Sequence, residues 1–433
     1  MKLLLFLIMT GNLFCIGQRS SAQFVIQRGV NGQDVGVDAF GRLESAPPFT
    51  LGDYVFKYSA ESSLFSTSVT ESAEISYHTT KGMVQLKTTT DGDVAIFQSN
   101  LYHRYQAGKA GKAVFSLSPG LVETGSAKWG YYDENNGLFF KLEPDAFYVC
   151  QRSSAAGTET TPAIVDTCVE SANFNGGEYS SKLAFQAFMS DTTKTTPFEI
   201  DFQWPVSSTT SFWLEGDDGR KELLHSFDNP LDYDRPYMRT AVLPMRFESQ
   251  GGAGHTTEQT MGIICCSVVS SGGEAPPEQP FFAGMSATGV TTDANEKAIF
   301  AIQLKETFQG LDNRVVVFPR EITAAVLTAG ATFTVSRNAT IVSTWTDMPD
   351  NSSVQYSENV TSCTGGDTIE IIDLLTASTN QNTGFSSGRS GFRKLFLSRN
   401  AFNTGSDNLC ISVKRISAID PTYKVGIGWG EVR

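Results

Sequence analysis

The 433-residue sequence predicts an all-β protein: two or more antiparallel β-sandwich domains, jelly-roll and lectin-like in kind, with an extended N-terminal arm. Three observations predict it. From residue 129 to 269, and again beyond 281, short apolar runs are broken by clusters of Asp, Asn and Gly, which supply the positive φ angles of tight hairpins. Within a run the period is two. Phe198, Ile200, Phe202 and Trp204 alternate with Glu199, Asp201 and Gln203, setting an apolar face against a polar one. The composition agrees, since 30 Phe and 13 Tyr carry flat rings that pack well on a pleated surface. No long helical period interrupts them.

Taken in order, the chain opens with Lys2, an apolar run from Leu3 to Met9 and the small residues Ser20-Ser21-Ala22, the three parts of a secretory signal. Residues 1–22 are read as a signal peptide cleaved after Ala22, too short to span a bilayer. Residues 23–54 alternate short apolar runs with Gly and Pro. Pro47-Pro48 disfavours a central strand, because proline fixes φ and lacks a donor, so this stretch is expected to be the arm. Residues 55–270 follow as the lectin-like sandwich, with strands at 75–78, 83–88, 94–101, 112–117, 129–132, 138–142, 147–152, 198–204, 211–215 and 221–227. The Gly/Pro/Glu-rich stretch 271–280 reads as a linker. Residues 281–433 carry strand patterns at 298–305, 314–318, 332–335, 341–345, 354–356, 368–374, 394–397, 409–415 and 425–429, the spacing of a second sandwich.

The formal charge of −13, with no basic run longer than two residues, argues against nucleic acid, whose phosphates need a Lys/Arg footprint. Loss of the signal would remove Cys15 and leave six cysteines. Six allow fifteen pairings. Cys150 with Cys168 and Cys363 with Cys410 are the local pairs expected, and reduced core cysteines are the alternative. If their segment is a strand, Cys265 and Cys266 point to opposite faces and are not expected to bond to each other. The sequons at Asn338, Asn351 and Asn359 cluster in the second half, as glycosylated surface turns of an exported chain would.

A family resemblance rests on the order of several short motifs. These are Asp38-Ala39-Phe40-Gly41-Arg42-Leu43, Tyr102-His103-Arg104-Tyr105-Gln106-Ala107-Gly108-Lys109, Gly130-Tyr131-Tyr132-Asp133 with Asn136-Gly137 and Phe139-Phe140, Ile200-Asp201-Phe202-Gln203-Trp204, Tyr237-Met238-Arg239-Thr240 with Leu243-Pro244 and Arg246, Ile264-Cys265 before Ser270-Ser271-Gly272-Gly273, and the final Trp429-Gly430-Glu431-Val432-Arg433. In this order they resemble a family of virion structural, tail- or fibre-like proteins of tailed bacteriophages and related viruses. The resemblance covers nearly all of the mature chain. It implies a capsid-associated, fibre or tail component, a homo-oligomer or a partner of other virion proteins, located in the virion or outside the cell, with host-surface attachment as a further role. The export signal, the sequon cluster and Pro205-Val206-Ser207-Ser208 depart from the family pattern. The alternative is a secreted or cell-surface glycan-binding sandwich in which Tyr131, Tyr132 or Trp213 stacks on sugar rings.

Catalytic patterns are weak, and no enzyme, cofactor or metal is expected. Gly384-Phe385-Ser386-Ser387-Gly388 has the spacing of a nucleophile elbow, yet all four histidines precede it, the wrong order for an α/β-hydrolase. Asp133 to Gly137 hints at a calcium loop, but the twelfth position is Pro144 rather than a carboxylate. Asp217-Asp218 is one adjacent carboxylate pair. Glu199 and Asp201 share a strand face, which makes them the best carboxylates for glycosidase chemistry; solvated alternation on a strand is the commoner cause.

Overall fold

The computed structural model describes residues 48–433 except 156–162, 177–187, 190, 205–208, 217–218, 230–235, 274–276, 288–295, 350, 375–382, 388–394 and 417, together with two-residue strands at Gln27–Arg28 and Asp34–Val35. The expected signal, most of the arm, Asp217-Asp218 and the end of the elbow pattern lie outside the described residues.

Two antiparallel β-sandwiches account for the chain. In the first, a seven-stranded sheet runs in the order Val165–Glu170, Ala146–Ser153, Gly137–Glu143, Ser126–Tyr132, Met245–Gln250, Val94–Ser99 and Phe65–Thr70. It faces an eight-stranded sheet whose path is Lys221–Asp228, Thr209–Glu215, Thr196–Phe202, Gly111–Ser118, Gln259–Ser270, Met83–Thr88 and Glu74–His78. Phe49–Val55 adds an eighth strand by pairing with the far half of Gln259–Ser270. The expected arm therefore gives way to sheet near residue 49. Pro48 stands directly before this strand and does not forbid it.

Side chains from both inner faces meet in one core, including Trp129, Phe140 and Phe247 from one sheet and Phe115, Phe198 and Phe212 from the other. Fully burying a large apolar side chain contributes roughly 1.5–3 kcal/mol. The second sandwich sets the four strands Gln279–Ala287, Tyr423–Val432, Val316–Val326 and Thr383–Ser387 against a six-stranded sheet centred on Lys297–Leu304, Asn408–Arg415 and Ala331–Arg337. Its core is a separate cluster. The expected linker ends early, because Gln279 and Pro280 already pair with Glu431 and Gly430. The pattern at 394–397 gives no strand: Leu397 makes only an isolated bridge to Val317.

Cys150 bonds to Cys168 and Cys363 to Cys410, while Cys265 and Cys266 are free. Cys150 and Cys168 are direct cross-strand partners. Buried carboxylates fix loops in both halves. Asp93 accepts backbone N–H groups of Thr89 (2.6 Å), Thr90 (2.8 Å) and Ser72 (2.7 Å). Burial pushes its carboxyl up, but those bonds outweigh it and hold the group at about 2. Glu431, 1% exposed, accepts the Ser353 N–H at 3.0 Å, Trp429 Nε1–H at 3.2 Å and the Ser352 hydroxyl, and so ties the 351–353 turn beneath the last strand.

Close packing of Phe49–Val55 requires one glycine. A Cβ on Gly52 would stand 2.4 Å from His103 Nε2. His103 Nδ1–H donates to Leu243 O (3.1 Å), so Nε2 accepts from the Tyr54 hydroxyl (2.9 Å). Burial lowers His103 to about 4 and keeps it neutral.

Candidate interdomain binding cleft

The hairpin between Ser126–Tyr132 and Gly137–Glu143 is the first wall of the candidate site. Asp133 Oδ1 accepts the N–H groups of Asn135 and Asn136, each at 2.8 Å, an Asx turn that closes the hairpin. Gly137 completes it at φ 144°, a conformation that side chains resist. The turn leaves Glu134 and Asn135 exposed and turns Asn136 inward. Asn136, 3% exposed, donates to Ser154 Oγ (3.0 Å) and accepts from the Arg239 N–H (3.0 Å), which fixes two neighbouring segments.

The floor is a polar ladder on the outer face of the seven-stranded sheet. Lys128 Nζ donates to Glu248 at 2.9 Å, Arg246 donates to Glu248 at 3.1 Å and to Gln98 Oε1 at 2.9 Å, and Gln98 donates to Ala401 O of the second sandwich at 3.3 Å. Arg246 is 5% exposed. Its Nε–H has no hydrogen-bond partner among the described residues, and an unpaired buried donor costs about 1–3 kcal/mol.

The second sandwich supplies the opposite wall through Leu311, Asp312, Arg314, Ala401 and Phe402. Its 401 loop docks by the Ala401 N–H donating to Asn100 Oδ1 (3.1 Å), and the Arg314 guanidinium lies 4.3 Å from the Tyr102 ring centroid. Between the walls lies an open cleft of about 860 Å³. Arg239, Arg246 and Arg314 line it together with Asp133, Glu134 and Asp312, so the lining carries cations and carboxylates in equal number. Such a surface offers hydrogen-bond donors and acceptors without a strong net charge.

The residues expected to contact glycan are not in this cleft. Tyr131 and Tyr132 are core residues, 1% and 0% exposed. Tyr131 points between the sheets, stacks on Phe202 and donates its hydroxyl to Ala241 O at 2.8 Å. Tyr132 points to the outer face, which the sequence pattern leaves looking wet, but Arg152, Arg246 and Phe139 cover its ring. Trp213 is half-buried on the eight-stranded sheet, with Lys221 Nζ 4.3 Å from its ring centroid. It neighbours Glu199 and Asp201, which do share a face. Lys112 Nζ lies 3.0 Å from Glu199 and 3.8 Å from Asp201, and Lys221 Nζ lies 3.5 Å from Asp201. Burial pushes Asp201 up to about 7, the neighbouring Glu199 adds to the rise, and the two lysines oppose it. Both carboxyls are thus engaged by lysines on the sheet face rather than set about 5–9 Å apart in a cleft as glycosidase pairs are.

The three sequon asparagines, Asn338, Asn351 and Asn359, are all exposed. Among the described residues no group of three His, Cys, Asp or Glu gathers as metal ligands, and no helix is long and apolar enough to cross a membrane. Sequence reasoning missed the cleft because its walls come from positions as distant as Gln98 and Ala401. The Asp/Asn hairpin was its only visible part.

No protein-family model matches the sequence, and no curated protein matches it. Among solved structures, lectin I-B4 from Griffonia simplicifolia is 11% identical over 51% of this chain and 99% of that one, with a TM-score of 0.30. The legume lectin-like domain from Entamoeba histolytica is 9% identical over 52% and 98%, at 0.33. The binding domain of botulinum neurotoxin serotype D is 13% identical over 52% of this chain and 48% of that one, at 0.32. The chain thus spans about half the length of the last. At these scores the likeness carries nothing about what the chain binds.

Proposed function

We propose that the chain is a secreted or cell-surface glycan-binding protein whose ligand lies in the polar cleft between the two sandwiches. The observation that carries this reading is the open polar cleft of about 860 Å³, lined by cations and carboxylates in equal number. Arg239 and Asn135, exposed at its rim, are the donors that sugar hydroxyls would meet. A glycan array probed with the full chain, followed by titration of the best ligand, tests it. Arg239→Ala and Asn135→Ala, both exposed and free of structural side-chain bonds among the described residues, should each weaken binding by about tenfold with unchanged melting temperature. An array without saturable binding, or equal affinity in both variants, would sink the idea.

A second reading, the virion structural protein, draws support from the sheet edges. Phe49–Val55, Phe65–Thr70, Val165–Glu170 and Asp367–Leu374 lie at edges and expose Val55, Val69, Val165 and Ile371 respectively. Apolar edge strands pair readily with further copies unless blocked. Light scattering should then report a defined oligomer that Ile371→Lys or loss of residues 23–47 disrupts. A monomer under all conditions rejects assembly by this chain alone.

A further inference from the structure

A second cleft, of about 320 Å³, opens on the other side of the Tyr102–Arg314 stack. Its walls are apolar: Leu51 and Leu101 come from the first sandwich, Val316, Phe318 and Val432 from the second. Four guanidiniums line it, against one carboxylate side chain, that of Glu278. Three are already engaged. Arg320 donates to Glu278 at 2.7 Å, Arg433 to Glu431 at 3.1 Å, and Arg314 to Asn400 O at 3.1 Å while stacking on Tyr102. Arg104 has no ion-pair, hydrogen-bond or ring partner among the described residues.

Arg104 also stands on a fixed backbone. The preceding His103 bridges Leu243 through its main chain and holds Tyr54 and Leu243 through its ring. One unneutralised planar cation beside an apolar chamber of ligand size is complementary to one planar anion carrying a hydrocarbon body. We propose that this cleft binds a medium-chain carboxylate, its head on Arg104 and its chain between Leu51, Leu101 and Phe318. The site is independent of the glycan reading, since Arg104 and Thr50 do not line the larger cleft.

The test is calorimetric titration of the full chain with decanoate, dodecanoate and decan-1-ol, all below self-association. Decanoate should bind saturably at one site and at least tenfold tighter than decan-1-ol. Burial of each added methylene should tighten binding by roughly fourfold. Arg104→Met should abolish the preference for the carboxylate while keeping the melting temperature. Thr50→Trp, which fills the exposed mouth from a strand position suited to an aromatic, should block both probes and leave glycan titration unchanged. Equal binding of acid and alcohol by the parent chain, undiminished decanoate binding by Arg104→Met, or no saturable binding at all would each overturn the proposal.

Discussion

The two sandwiches solve the same packing problem with different side chains. The first fills the space between its sheets with rings: Phe65 stacks on Phe97 at 4.5 Å, Trp129 on Phe140 at 5.6 Å, and Phe198 meets Trp129 edge-on at 4.9 Å. The second is mainly aliphatic, built on Ile299, Ile302, Ile322, Val335, Ile411 and Ile427. Its ring contacts are few and longer, as for Phe333 with Tyr423 at 5.9 Å. Rings fill much space at each position but work only in a few mutual orientations. Branched aliphatic chains tolerate small changes of shape. The difference teaches that the first core has more to lose at a single position.

That contrast sets an order of expected effects. Trp129→Ala, which empties the centre of the ring cluster, should cost about 3–5 kcal/mol and, in chemical denaturation followed by circular dichroism, should lower only the first sandwich's transition. If both transitions fall together, the cores are not separate units.

Breaking the disulfides sharpens the comparison from the other side. In the chain-entropy picture, opening the Cys363–Cys410 link, with a sequence separation of 47, should cost the second sandwich about 4 kcal/mol; opening Cys150–Cys168, with a separation of 18, should cost the first about 3 kcal/mol. Paired Cys→Ala variants in the same assay check it, and a reversed order would mean that native-state packing rather than loop closure decides.

Acid should weaken the first sandwich through Asp93. Asp93 has a folded-state value below its unfolded one, so its contribution is complete above the unfolded value near 3.8 and is lost as pH falls through about 2. The loss amounts to about 2 kcal/mol. Stability measured from pH 5 to pH 2 should slope more gently in Asp93→Asn than in the parent chain. The smallest effect is expected in the aliphatic core, where Ile411→Val should cost about 1 kcal/mol and leave the first transition in place.

The sequence made the hairpins legible because period-two alternation and turn residues are local signals. The expected strand at 83–88 coincides with Met83–Thr88, and the Asp133–Gly137 turn stands where expected. Gln259–Ser270, the longest strand of the first sandwich, escaped because register shifts between Ile263 and Cys265 and between Val268 and Val269 break its alternation. Tyr132 was misplaced for a different reason. Alternation tells which face a side chain takes, and nothing about what later covers that face. The clefts were illegible because neither exists until two sandwiches meet. Arg104 carries no local mark that distinguishes it from any other arginine.

The turn beneath Glu431 has a consequence for chemical history. In the triplets beginning at Asn338 and Asn359, the third residues Thr340 and Thr361 are exposed. In the Asn351 triplet the asparagine is exposed, while Ser352 and Ser353 are fully buried and held by the Glu431 carboxylate. An enzyme that reads the whole triplet can engage Asn351 only before the last strand is laid down. In a secretory pathway that glycosylates such triplets, the sugar at Asn351 would be a time stamp. Its occupancy would fall in chains that close their C-terminal strand quickly and rise in chains that close it slowly.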